Sequence, residues 1–413
     1  MEVLYERCCG LDVHKAQVVA CLITPGEGKK PRKEIRTFGT TTRDLLMLGD
    51  WLGAAGCSHV AMESTGPYWR PVYNVLEADF EVLVVNARDI KQVPGRKTDV
   101  SDAEWIADLL RHGLLRGSFV PPKPVRELRE LTRYRKSLVR EKTRAINRIQ
   151  KVLEGANIKL GTVATDIMGA SGRAILQALA RGTTDPLALA DLAQGRLRAK
   201  LPELERALEG IVGDLHRFLL QQELAHIEFL EQTIARVEAE IEERMRPFAQ
   251  EVERLTTIPG VKKQVAWTIV AEIGTDMSVF PSHRHLASWA GLCPGNNESA
   301  GKRKSGRTRK GNPWLRETLV EAAWAASRAR RTYLAAQYHR LAARRGRKKA
   351  LIAVAHSILV IAYHLLAKGT TYQELGPNFF DHLNYQRVVK YHLRRLLELG
   401  YPITPKTVPT AVA

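Results

Sequence analysis

The chain has 413 residues, of which 63 are Lys or Arg and 44 are Asp or Glu, giving a formal charge of +19. With 45% hydrophobic and 26% charged residues it lies near average globular usage, which excludes a disordered tail and a fibrous protein. A surplus of this size favours a polyanionic partner, nucleic acid first and an anionic membrane surface second, because each base docked on a phosphate releases condensed counterions.

At roughly 100–200 residues per domain the length allows two to four domains. Residues 1–120 read as an α/β domain with a mixed sheet. Strands are expected at Cys8–Leu11, Gln17–Ile23, Glu34–Phe38, His59–Met62 and Glu81–Val85. Between them, Thr42 caps a helix running to about Ala54, Pro67 opens a second, and a third follows the last strand. The order of three strands, helix, strand, helix, strand, helix is that of an α/β fold. The segment opens MEVLYERCCG, with no basic stretch ahead of an apolar core, so no signal peptide is expected. Cys8, Cys9, Cys21, Cys57 and Cys293 are odd in number and lack the paired spacing of a zinc site, which reads as reduced thiols in a cytosolic protein.

From Pro121 the pattern turns helical. Twelve bases between Lys123 and Lys159 stand against Glu127, Glu130, Glu141 and Glu154, which reads either as a helix facing nucleic acid or as a solvated surface. Leu220, Leu224, Ile227, Leu230, Ile234, Val237 and Ile241 approach a heptad seam. Such a seam fits a coiled-coil arm, closed either by a second chain or by an intramolecular hairpin with the helix of residues 121–155. A third unit spans residues 251–345, and a helical tail covers 346–413. Within that tail Ala350–Ala367 nears membrane-spanning length, but His356, Ser357, Tyr363 and His364 interrupt it and favour a buried helix.

Four acids fall where the α/β reading brings them together. Asp12 ends the first strand, Glu63 ends the fourth, and Asp99 and Asp102 lie three apart at the start of the third helix, where that spacing puts both on one face. Carboxylates at strand ends beside a paired acid on a helix make a hard-oxygen site for Mg²⁺ or Mn²⁺, with room for two ions that clamp a phosphodiester displacement. Singly, each acid could be a surface residue or a helix cap; together they point to phosphoryl transfer on nucleic acid.

Downstream, Leu255–Val261 with the helical run Gln264–Ile273 looks like a helix-hairpin-helix element whose turn at Gly260 offers backbone N–H groups to phosphates. Sixteen bases between Gly301 and Ala350 stand against Glu317 and Glu321, so most of the surplus charge sits there. Ser299 lies in a Gly-rich, base-rich loop where neighbouring cations would stabilise an attacking alkoxide, although the same loop could simply grip phosphate. Candidate nucleic-acid contacts are Lys15, Lys97, Gly260, Lys302, Arg303, Lys304, Arg307, Arg309 and Lys310.

Gly10–Lys15, Glu63–Gly66 and Lys97–Ala103, together with Gly291–Arg316, resemble the bacterial transposases of the insertion-sequence one-ten family. The resemblance implies an RNase H-like, RuvC-like N-terminal domain with metal ligands at Asp12, Glu63, Asp99 and Asp102. It also implies a mainly helical C-terminal domain in which Ser299 is the covalent nucleophile. Ala300 separates Ser299 from Gly301, a departure from the family's Ser-Gly form, and Ser305 with Gly306 is a competing pair. The expected activity is site-specific recombination of donor and target DNA in the bacterial cytoplasm. A structured guide RNA and a homo-oligomer of two to four chains are implied with it, and no membrane. The rival readings are a metal-dependent nuclease or junction resolvase using activated water, and a non-catalytic nucleic-acid scaffold.

Overall fold

The computed structural model describes residues 2–26, 30–64, 66–87, 90, 101–295 and 297–401, except for the side chains of residues 297–299, 303 and 304. The chain divides into two compact units, residues 1–120 and 121–413.

The first unit is built on five strands, β1 (Cys8–Val13), β2 (Gln17–Thr24), β3 (Arg32–Gly39), β4 (His59–Glu63) and β5 (Glu81–Val85), in the spatial order β3-β2-β1-β4-β5. β1, β2 and β3 pair antiparallel, whereas β4 and β5 join β1 in parallel. β1 is buried on both faces, and its alternation sorts the core into two layers. Cys9, Leu11 and Val13 pack with Leu45, Leu48 and Leu52 of helix α1 (Thr42–Ala54) and with Val72 and Leu76 of α2 (Trp69–Leu76). Cys8 and its face-mates Cys21, Ile23 and Ala61 pack with Ala103, Ile106, Ala107 and Leu110 of α3 (Asp102–Arg111).

The expected element order is observed, with small corrections at the ends. Thr41, not Thr42, caps α1, because its side chain is the one that accepts from Asp44 N–H. Pro67 does not open α2; it forms a turn ahead of it, with Arg70 N–H donating to the Pro67 carbonyl at 3.2 Å. Helix α3 begins at Asp102 under a Ser101 cap, and the expected pairing of Asp99 with Asp102 on one helical face lies outside the described residues.

The second unit carries the long helix α4 (Lys123–Gly155), which packs along its length on α5 (Asp214–Arg244). The heptad-like seam is closed within the chain: Leu220 and Ile227 share a core with Ala145, Ile149 and Leu153. Ion pairs fix the two helices antiparallel, since Glu127, Arg135, Lys142 and Arg148 going down α4 meet Arg244, Glu238, Glu231 and Glu223 going up α5. The basic helix is therefore neither a free rod nor a plain solvated face. Lys136 also pairs with Glu317 and Glu321, and Arg140 with Glu317, so most of its bases are used to hold neighbouring helices.

The remainder of that unit packs helices α6 (Lys263–Ile273), α7 (Pro313–Ala326), α8 (Tyr333–Arg345) and α9 (Arg347–Lys368). Among the described residues α9 alone is long and apolar enough to cross a membrane. One face of it, including Ala350, Val354, Ile358 and Ala362, is buried against α7 and α8. All five cysteines are free, and four are buried.

Two expectations follow. A Cβ at Gly10 would collide with the Ala103 carbonyl and the Ala107 N–H of α3, so Gly10→Ala should lower unfolding stability by about 1–3 kcal/mol in a denaturant titration. Burial pushes the thiols of Cys8, Cys21 and Cys57 up to about 12 and that of Cys9 well above its usual value. Because only the thiolate reacts, iodoacetamide at pH 8 should label Cys293 in the native protein and the other four only after denaturation, as read by peptide mass.

Candidate active site

In the first unit the acids are placed by strand parity. Asp12 has the parity of Cys8 and Gly10, and Glu63 that of Ala61, so both belong to the sheet face covered by α3. The parallel register sets Leu11 opposite Met62, which brings the next residues, Asp12 and Glu63, level at the ends of adjacent strands. Gly10 lets α3 lie directly on β1 at Ala103, and the preceding residue, Asp102, is the first of the helix. An acid in that first turn is favoured by the positive end of the helix dipole. Asp12 and Glu63 thus share one end of one sheet face, and Asp102 begins the helix that covers that face.

Neighbouring polar contacts fix this edge. His14 lies with Nε2 3.1 Å from Oδ2 of half-buried Asp12. Further along α3, Lys33 reaches across from β3 to Glu104 at 2.8 Å and Asp108 at 2.7 Å. Burial works against the charge of Lys33, and the hydrogen bonds to Asp108 and Glu104 outweigh it, holding its ammonium above the usual range. Those two acids share the single charge of Lys33.

Asp99 and Lys97 lie outside the described residues, and Lys15 is exposed in the β1–β2 turn. Among the described residues no three His, Cys, Asp or Glu side chains form a group close enough to hold a metal ion. The donor set at this edge is nonetheless all carboxylate oxygen, the chemistry that suits a hard divalent cation.

In the second unit the serine region is a β-hairpin and not an irregular loop. Strand β6 (Asn297–Ser299) pairs antiparallel with β7 (Lys302–Ser305), with Ser299 opposite Lys302. The two connecting residues, Ala300 (φ 49°) and Gly301 (φ 71°), are both left-handed, the geometry that a two-residue hairpin turn demands. Alanine in that conformation is strained where glycine would not be. Lys302, Arg307, Arg309 and Lys310 are exposed on this hairpin and its return leg, and Ser305 Oγ accepts from the Arg307 N–H at 3.1 Å.

The hairpin is anchored at its base. Pro294 bridges Thr308, Gly295 N–H donates to the Arg307 carbonyl at 2.9 Å, and Gly291 meets Gly311 backbone to backbone. The return leg ends on Asn312, whose Oδ1 caps α7 by accepting from the Trp314 and Leu315 N–H groups. Its Nδ2 donates to Oε2 of Glu272 at 2.6 Å.

Glu272 is fully buried, and sequence reasoning missed it. Arg133 of α4 binds it through Nε at 2.7 Å and Nη2 at 2.8 Å, with Arg129 Nε 3.4 Å from Oε2. Arg129 also donates to the carbonyls of Ala271 and Glu272 at the end of α6. The signal was present as a single acid inside the apolar run Val265–Ile273, a placement tolerated only when the charge is paired. Gly260 has a φ of 87° and leaves no room for a Cβ against the Ala322 carbonyl of α7, so packing by itself accounts for a glycine there.

Two family models match the chain. One, described as a transposase of DEDD type from IS110, covers residues 9–158, and the other, the transposase IS116/IS110/IS902 family, covers residues 252–340. An insertion element IS110 protein of Streptomyces coelicolor is 28% identical over 69% of this chain and 74% of its own length. The transposase for insertion sequence element IS1111A of Coxiella burnetii is 27% identical over 77% of this chain and 79% of its own. An acid-bearing sheet edge under the first model and a basic hairpin under the second place this chain in the IS110 family of transposases, enzymes that cleave and recombine DNA.

Proposed function

We propose that the protein moves an insertion sequence by a serine-mediated strand exchange in which an RNase H-like first unit supplies the acids. The strand order β3-β2-β1-β4-β5, with only β2 antiparallel to the other four strands, supports the RNase H-like reading. The observation that carries the proposal is the levelling of Asp12 and Glu63 on the face that α3 covers, with Asp102 at that helix's first position.

Asp12, Glu63, Asp99 and Asp102 would hold divalent cations, Mg²⁺ or Mn²⁺, which when bound supply Lewis-acid stabilisation of charge on a scissile phosphate. The protein's own residues do the rest. Ser299 Oγ forms a bond to phosphorus, the bond from phosphorus to the departing strand oxygen breaks, and the seryl proton leaves with that oxygen. The phosphoserine keeps the energy of the broken phosphodiester, so a hydroxyl of a new partner strand can reverse the step without ATP. Lys302, across the hairpin from Ser299, with Arg303, Lys304, Arg307, Arg309 and Lys310, is suited to offset phosphate charge on the strand being cut. Exposed cations of this kind also suit a structured guide RNA, and assembly into dimers or tetramers would bring together two DNA ends.

Three measurements test this. Asp12→Asn should abolish strand exchange while leaving DNA affinity within about twofold, since one hard ligand is lost and the basic surface is kept; normal recombination by that variant would remove the metal assignment. Ser299→Ala should remove every covalent protein–DNA adduct; cleavage that survives without adducts would identify a water-using nuclease, and an adduct mapped to Ser305 would move the nucleophile. Replacing Lys302, Arg303 and Lys304 with Ala should lower the slope of log affinity against log salt by up to about three, at near 0.9 for each phosphate contact.

A further inference from the structure

We infer that Glu272 is a positioning residue for the serine hairpin, acting through Asn312. The inference rests on the proposed role of Ser299, and it adds a group that lies outside both the acids and the hairpin itself.

Glu272 lies in the apolar α6, where its carboxylate has no exposed surface. A buried carboxylate is costly unless its oxygens are filled, and here they are filled from two separate elements. Oε1 and Oε2 take the fork of Arg133 from α4, and Oε2 also takes the Asn312 amide. The guanidinium of Arg133 stands 5.7 Å from the centre of the Trp314 ring, on the first turn of the helix that Asn312 caps. One carboxylate therefore ties α4 to the point where the hairpin's return leg becomes α7.

The chemistry of Asn312 shows that it serves two purposes. As a cap alone, Asp would do as well as Asn, since only the side-chain oxygen is needed. The second contact needs a donor, and Asn has one where Asp has none. With Oδ1 held by two backbone N–H groups and Nδ2 held by Glu272, the residue has one orientation. Six residues separate Ser305 from Asn312, and along them Gly291 and Gly311 touch backbone to backbone. Fixing Asn312 fixes one leg of the hairpin at its root. A nucleophile misplaced by about 1 Å can lose on the order of a hundredfold in rate, so this root bears on the chemistry without touching DNA.

Asn312→Asp is the informative variant, because it keeps the cap and sets two carboxylates against each other. In the full-length protein it should cut the rate of adduct formation by about tenfold to a hundredfold while DNA affinity stays within about twofold. Amide hydrogen exchange should quicken in residues 294–311 and not in the sheet of the first unit. The double variant Glu272→Gln with Asn312→Asp restores a donor facing an acceptor, and it should recover adduct formation to within about threefold of the starting protein. Glu272→Gln alone keeps one oxygen for the Asn312 amide, so it should be milder than Asn312→Asp. Wild-type adduct rates and wild-type exchange in Asn312→Asp would overturn the inference, as would a double variant no better than Asn312→Asp with both folded by circular dichroism. Should Ser299→Ala still form adducts, the nucleophile assignment fails separately, and the hydrogen-exchange comparison still decides whether Glu272 holds the hairpin.

Discussion

Pairing of a carboxylate that cannot reach water organises the second unit. Glu272 demands cationic or N–H donors, and it draws them from α4 and from the root of the serine hairpin. The same logic runs outward along α4. Its bases meet Glu223, Glu231, Glu238 and Glu317, so a helix whose composition suggests a polyanion-binding rod is instead the spine onto which neighbouring helices are fastened. At partly exposed sites each such pair contributes little, so their value lies in fixing register and orientation. The hydrophobic seam supplies the adhesion: Ile149, Leu153, Leu220 and Ile227 are almost fully buried.

Charge left over after this pairing marks the surfaces available for function. The bases at Lys302, Arg307, Arg309 and Lys310 remain exposed, while Lys33 in the first unit is taken by Glu104 and Asp108. Net charge alone does not make this distinction. A surplus of +19 says that a polyanion is favoured, but not which cations are spent inside the fold.

Much of the first unit was legible because its strands are short, apolar and punctuated. Gly10–Asp12 and Ala61–Glu63 end apolar runs in an acid, and period-two alternation then fixes which face each acid takes. Boundaries were less legible, since Thr41 and Thr42 are both competent caps and only the hydrogen bond to Asp44 separates them. Helix α3 starts at Asp102 under the Ser101 cap, a boundary for which Thr98, Asp99 and Ser101 are all competent cap residues in the sequence. The closure of the α5 seam by α4 was one of two open alternatives. It is decided by long-range partners that local periodicity does not contain.

The hairpin shows why a serine site is harder to read than an acidic one. Asp12, Glu63 and Asp102 are carried by strand ends and a helix start, elements whose positions follow from the packing of the sheet. Ser299 is carried by a two-strand ribbon, and an isolated ribbon of that size has little stability of its own. Its precision has to come from the base, where Gly291 meets Gly311, Pro294 bridges Thr308 and Asn312 is held by Glu272. At the tip, Ala300 accepts a left-handed backbone that Gly301 takes without strain, so the turn beside the serine is shaped against local preference. Under the role proposed for Ser299, a nucleophile on such a ribbon would approach a large, moving substrate from an exposed tip and would be aimed by its anchored root. The lone acid in α6 is what makes the second property compatible with the first.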